Sequence, residues 1–154
     1  MGQSFQDLLA RAKQATAQAR MREAYQLWTE VKRLHPSNVE ALFNLGIIAM
    51  TNGDTATAVG LLQSAHHAAP TEPMVLLHLA NARAQTSDVQ GQWDALQQAL
   101  AIDPYFMPAL LGQGQILYSQ GKKRAAASMF RNAIKIAPHP SECPEWLKTP
   151  LAEA

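Results

Sequence analysis

Along this chain apolar residues recur with helical spacing, in paired stretches divided by short polar turns. The pattern predicts eight helices, near 4–17, 21–34, 39–51, 55–68, 73–85, 89–101, 107–119 and 123–136. No segment alternates apolar and polar residues as a half-buried strand would. Turn chemistry agrees with these bounds. Asn52-Gly53-Asp54 supplies a glycine to end one helix and a cap to open the next, and Gly121 serves the same turn later. Ser37-Asn38-Val39-Glu40 fits a capping box opening the third helix, with Thr71 and Asp103 as turn or cap residues further on.

The helices come in a fixed rhythm. Pro36, Pro70, Pro104 and Pro138 stand 34 residues apart, which divides the chain into units 5–38, 39–72, 73–106 and 107–140. Position 8 of the units is small (Ala12, Gly46, Ala80, Gly114), as is position 27 in three of them (Ala65, Ala99, Ala133, after Val31). Position 20 reads Ala24, Ala58, Gln92, Ala126. Large apolar residues recur at position 4 (Leu8, Leu42, Leu76, Leu110) and position 24 (Trp28, Leu62, Leu96, Phe130). Small residues at a helix crossing let two backbones approach, and bulky neighbours fill the groove beside it. A side chain added at Gly46 or Gly114 is therefore expected to overpack the crossing, by roughly 1–3 kcal/mol.

Small residues at 8, 20 and 27, large ones at 4 and 24, and proline at 32 resemble the tetratricopeptide repeat (TPR) over residues 5–140. The resemblance implies an all-α, right-handed TPR superhelical solenoid of four helix-turn-helix repeats, with 141–154 as a short Pro-interrupted tail or linker. Two units depart from it. The first has Arg11 at position 7 and no glycine in its turn, so its first helix should be the least firmly packed. The third has Gln92 at position 20 beside Gly91, and a local adjustment of that helix is expected.

Composition narrows the picture. The 154 residues are 47% hydrophobic and 16% charged, enough for one compact domain with a sizeable core. A net charge of +1 gives no global attraction to nucleic acid or membrane. Cys143 is alone, so no internal disulfide forms, which suits a reducing compartment. The start MGQSFQDLLARAKQ lacks a signal-like apolar run, and Gln6 stands where myristoylation needs Ser or Thr. The apolar runs LGIIAM and PMVLLHLA fall short of the roughly 20 residues of a membrane helix. A cytoplasmic location is the expectation.

No enzyme motif emerges. Gly112-x-Gly114 lacks the third glycine and the preceding strand of a dinucleotide fingerprint, and reads as small residues at a crossing. His66 and His67 are adjacent on a helix and so diverge, without a third ligand in view. Cys143 has no histidine at useful spacing. No catalytic, cofactor-binding or metal-binding residue is expected. Charge is uneven: the first unit has six Lys/Arg against three acids, the fourth five against none. The one basic run, Lys122-Lys123-Arg124, has no aromatic platform beside it and reads as a solvated turn.

The TPR resemblance implies that first helices line the concave face through positions 2, 5, 9, 12 and 13. Position 5 reads Leu9, Phe43, Leu77, Leu111, and position 9 reads Lys13, Ile47, Asn81, Gln115. Position 12 reads Thr16, Met50, Ala84, Tyr118; position 13 reads Ala17, Thr51, Gln85, Ser119; Met74 is at position 2. Such a groove is apolar with an uncharged polar rim, a surface that usually marks a binding site. Phe43, Asn44, Ile47, Met50, Met74, Leu77, Asn81, Gln85, Gln115 and Tyr118 are the candidate partner-binding residues. Leu9, Leu77 and Leu111 equally suit a core between stacked repeats. The carboxylate clamp of chaperone-binding TPRs maps onto Leu9, Lys13, Asn44, Met74 and His78, with two cations missing. The asparagine ladder of sugar-transferase TPRs is absent too, since position 6 reads Ala10, Asn44, His78, Gly112.

A narrower likeness lies in ALAIDPYFMPALLGQGQIL, which resembles the N-terminal TPR region of bacterial aspartyl/asparaginyl β-hydroxylase-type proteins. There a DPYF-x-PAL run opens a late repeat, and a Pro-rich segment leads to a 2-oxoglutarate- and iron-dependent oxygenase domain. PHPSECPEWLKTPLAEA fits the start of such a linker, but the five histidines are scattered over helix ends and faces, so the iron-binding catalytic part is not expected in this chain. Pro108 suits a first helical turn, and Tyr105 and Phe106 are expected to pack the joint between repeats. The leading expectation is thus a non-catalytic module binding a protein or peptide segment in an apolar groove; the narrower likeness would add an adjacent oxygenase domain. The alternatives are a basic-ended adaptor for nucleic acid or anionic membrane through Lys122, Lys123 and Arg124, or a self-associating scaffold. In the tail, Trp146 and Leu147 are the residues expected to dock if it folds over the last helix.

Overall fold

The structure, a computed structural model, describes residues 4–136. Expectations that concern Pro138, His139, Cys143, Trp146, Leu147 and the rest of the tail lie outside those residues. Eight helices follow in order: α1 Phe5–Ala17, α2 Met21–Leu34, α3 Val39–Thr51, α4 Thr55–Ala68, α5 Pro73–Gln85, α6 Val89–Ile102, α7 Met107–Ser119 and α8 Lys123–Ile136. These bounds reproduce the periodicity reading to within one residue, and no strand occurs among the described residues. The helices form two compact units that part at Thr71 and Glu72, α1–α4 in one and α5–α8 in the other. Helices pair in chain order within each unit, α1 with α2 and α3 with α4 in one, α5 with α6 and α7 with α8 in the other.

Six of the helix starts are set in one of two ways. At α1, Ser4 Oγ accepts from the Asp7 amide at 3.1 Å while the Ser4 amide donates to Asp7 Oδ2 at 3.2 Å, a full capping box. Asn38, Asp54 and Asp88 cap α3, α4 and α6 through their side chains. The cap of α3 therefore falls on Asn38, which accepts from the Ala41 amide at 2.9 Å, and not on Ser37. Glu40 closes no box; it pairs with Lys13 of α1 at 2.9 Å. Helices α5 and α7 have no side-chain cap, and each carries proline in its first turn, where the missing amide hydrogen leaves no bond unmade.

The turn inside every repeat has one left-handed residue at the same register: Ala19 (φ 53°), Gly53 (79°), Ser87 (59°) and Gly121 (75°). Glycine occupies this conformation freely, whereas a Cβ is crowded in it. Ala19→Gly and Ser87→Gly are each expected to stabilise the chain, by about 0.5–1 kcal/mol, as read from thermal or urea midpoints. Gly53→Ala should do the reverse.

Within a repeat the two helices bury the small and large residues of the pattern against each other. In the first unit Leu8, Ala12, Ala15, Ala24, Leu27, Trp28, Val31, Ala41, Leu45 and Ile48 form one cluster. In the second, Leu117, Ala126 and Phe130 form a cluster flanked by Trp93, Leu111, Tyr118, Met129 and Ile134. Helix α1 buries Leu8, Ala12 and Ala15 alone, fewer than α3, α5 or α7, and Arg11 is exposed, as its odd position-7 residue led one to expect. Helix α6, by contrast, needs no adjustment. It is continuous and starts in register with α2, α4 and α8, with Gln92 half-buried. Gly91 makes room for Arg83, whose Nη1 donates to the Gly91 carbonyl at 2.9 Å.

Candidate functional site

The candidate residues lie on first helices, and none of them is buried in the core. In the first unit Phe43, Asn44, Ile47 and Met50 are half-buried along α3. In the second, α5 carries Leu77 half-buried with Met74, Asn81 and Gln85 exposed, and α7 carries Gln115 exposed with Tyr118 half-buried. Met74, at 45% exposure, is among the most exposed large apolar side chains. Phe43, Ile47 and Met50 are spaced by four and three residues, so they share one stripe of α3.

Several of these side chains are partly committed to the fold. Asn44 Nδ2 donates to the Glu40 carbonyl at 2.8 Å, turning its amide back on its own helix. Leu111 and Tyr118 rest against the Phe130 cluster, and Leu9 rests against the first unit's core. Thr16, at groove position 12 of the first repeat, has a structural task. Its hydroxyl donates to the Ala12 carbonyl at 3.0 Å and accepts from Trp28 Nε1 at 2.9 Å. Sequence spacing places Thr16 on the face but gives no sign of that bond. Tyr105 departs from its expected role as well: it is 70% exposed and packs no joint, while the half-buried Phe106 is the N-cap residue of α7.

The candidate residues carry no formal charge at neutral pH. Nearby, His78 is half-buried on α5, and loss of hydration holds its imidazole below the usual histidine range, favouring the neutral ring. The Lys13–Glu40 pair is more than half exposed and therefore screened by water and salt. Lys122, Lys123 and Arg124 are exposed where the chain enters α8.

Other residues considered for chemistry have packing roles. A Cβ on Gly112 would stand 2.9 Å from Leu96 Cδ1, and one on Gly114 would stand 2.4 Å from Phe130 Cε1. Both glycines thus serve helix crossings. Among the described residues no three His, Cys, Asp or Glu converge as a metal-holding group. No described helix is long and apolar enough to cross a membrane.

Sequence reasoning missed the open clefts on other faces. The described residues form one of about 410 Å³ bordered by Met21, Arg22, Tyr25 and Ile48. Another, of about 490 Å³, is bordered by Pro36, Leu42, Gln63 and His67. The only advance signal for the first was an aromatic, Tyr25, at a position that the core does not require.

Known proteins share this helical pattern. Family models described as tetratricopeptide repeat match residues 4–73 and residues 108–139. No curated protein sequence matches the chain. Among solved structures, a crystal structure of MamA protein is 24% identical, covers 90% of this chain and 75% of that chain, and has a TM-score of 0.77. A thermophilic TPR protein of Thermus thermophilus is 19% identical over 97% of this chain and 80% of that one, with a TM-score of 0.72. A mutant of the O-GlcNAc transferase from Thermobaculum terrenum is 23% identical over 88% of this chain but only 27% of its own, with a TM-score of 0.76. These likenesses show an all-helical repeat fold. The narrower resemblance of the DPYFMPAL run to hydroxylase repeat regions finds no support among these matches.

Proposed function

Because this chain belongs to the tetratricopeptide-repeat family, we propose that it is a non-catalytic protein-interaction module. Each unit takes a partner segment on its own first-helix faces, α3 marked by Phe43, Ile47 and Met50 in one, and α5 and α7 marked by Met74, Leu77, Asn81, Gln85, Gln115 and Tyr118 in the other. The observation that carries this reading is the stripe Phe43, Ile47 and Met50: three large apolar side chains left only half-buried on a helix whose Ala41, Leu42, Leu45, Gly46 and Ile48 fill the core. Such side chains gain by being covered, and the uncharged amides Asn81, Gln85 and Gln115 on α5 and α7 suit peptide backbone. Neither a chaperone's terminal carboxylate nor nucleic acid is favoured by a face without cations. The reading needs no adjoining oxygenase domain and assigns the chain no reaction. A cytoplasmic partner is part of the proposal.

The test uses Phe43→Ala with Met74→Ala, since Tyr118 also supports the Phe130 cluster and would confound stability with binding. The double variant should keep its helicity. Its recovery of partners in affinity capture should fall by about tenfold or more, the size expected when central apolar anchors are truncated. An unchanged set and yield of partners would refute the proposal.

A further inference from the structure

Helix α3 has a second working face. Turned away from Phe43, Ile47 and Met50 lie Ile48 and Asn52, and there two adjoining clefts of about 410 and about 380 Å³ open between α2 and α3. Both are lined by Tyr25, Ile48 and Asn52, with Arg22 at the first and Lys32 at the second. Tyr25 is 52% exposed above Ile48, which is 8% exposed, so an aromatic wall stands over an apolar floor.

Arg22 is the charged residue that lines the first cleft, and Lys32 lines the second together with Asp54. Arg22 and Lys32 stand outside the ion pairs Lys13–Glu40, Arg20–Glu23 and Arg33–Glu30. The lining carboxylate, Asp54, is engaged at the start of α4, where its Oδ1 accepts from the Thr57 amide at 3.3 Å. The arrangement also recurs. In the second unit a cleft of about 220 Å³ is lined by Trp93, Ile116 and Gln120, the residues 68 positions after Tyr25, Ile48 and Asn52, and Lys122 supplies its cation.

We propose that these clefts form a second docking surface, for an acidic peptide segment whose apolar side chains lie between carboxylates. Apolar side chains enter beside Tyr25 and over Ile48, and the carboxylates meet Arg22 and Lys32. Those two cations are ten residues apart on α2, about 15 Å along its axis at the helical rise. An extended strand covers that distance in about four or five residues. The favoured segment therefore has two acids at that spacing, bracketing apolar residues.

The experiment is an NMR titration of the full chain with a short synthetic peptide in which two leucines are bracketed by glutamates at that spacing. The amides of Arg22, Tyr25, Ile48 and Asn52 should shift, and affinity should fall as salt rises from about 50 to about 300 mM. Exchanging the glutamates for lysines, or the leucines for serines, should weaken binding by about fivefold or more. Arg22→Glu with Lys32→Glu should abolish it with helicity intact, because both side chains are exposed. Phe43→Ala should leave it unchanged, which separates this surface from the face proposed above. Absence of binding, equal binding of the lysine peptide, or shifts confined to Phe43, Ile47 and Met50 would each overturn the proposal.

Discussion

Trp28→Ala is expected to destabilise the first unit by about 3–5 kcal/mol, the range for deleting a large buried aromatic. Trp28 is 1% exposed and stands among Ala12, Ala24, Leu27 and Val31, small and branched residues that leave the emptied space hard to refill. The change also strands the Thr16 hydroxyl, which accepts the indole N–H at 2.9 Å. Thr16→Val isolates that polar part: it keeps the shape of the side chain but leaves the buried indole donor unmet, for about 1–3 kcal/mol. Thr16→Ser should be nearly silent. Hydrogen exchange of α1 and α2 amides, read alongside urea midpoints, checks both effects. A Thr16→Val variant as stable as wild type would remove the hydrogen bond from the account.

Gly114→Ala comes next in size. A Cβ there would lie 2.4 Å from Phe130 Cε1 and 2.7 Å from Cδ1, and the ring is 1% exposed, so it cannot swing aside. Alanine gains about 1 kcal/mol over glycine in a helix interior, yet the clash of about 1–3 kcal/mol at a fixed ring should exceed it. A net loss of about 1 kcal/mol, and at most about 2, is expected. Phe130→Leu should be less harmful in the Gly114→Ala background than alone, because the smaller side chain relieves the contact. Gly46→Ala should be milder: its nearest contact is Leu62 Cγ at 2.9 Å, on a side chain with more freedom than a ring. Equal stability of Gly114→Ala and wild type would contradict the crossing geometry.

The helices were legible in the sequence because burial has a period. Small residues such as Ala12, Gly46, Ala80 and Gly114 recur only where two backbones approach, and the turn prolines mark the joints between repeats. Fold class and helix bounds follow from that repetition. Individual polar partners do not. Nothing in the spacing joins Thr16 to Trp28, or Gln113 to Gln97, whose 2.8 Å bond satisfies a side chain only 1% exposed. Such bonds depend on how two helices face each other in three dimensions. Caps were legible to within a residue: Ser37 and Asn38 are both good cap types, and only backbone geometry chooses Asn38.

The site divides in the same way. Helical register puts Phe43, Ile47 and Met50 on one stripe, and the structure leaves that stripe half-buried. The clefts around Tyr25 and Trp93 were not legible, because position 21 reads Tyr25, Val59, Trp93 and Ala127 and so carries no uniform signal. Tyr105 misled for the opposite reason. An aromatic beside Phe106 at a repeat boundary looks like core, but the Asp103 carboxylate accepts from the Tyr105 amide at 2.9 Å in a tight turn that turns the ring outward.

The most direct test of the central claim, that partners bind on the first-helix faces, is site-specific photocrosslinking in the cells that make the protein. A photoreactive residue replaces Ile47, Met74 or Gln115 in turn, with Tyr105 and Gln63, exposed elsewhere, as controls. The account predicts discrete crosslinked partner bands from the first three positions and none from the controls. Bands of equal strength from Tyr105 or Gln63, or none from Ile47, Met74 and Gln115, would contradict it.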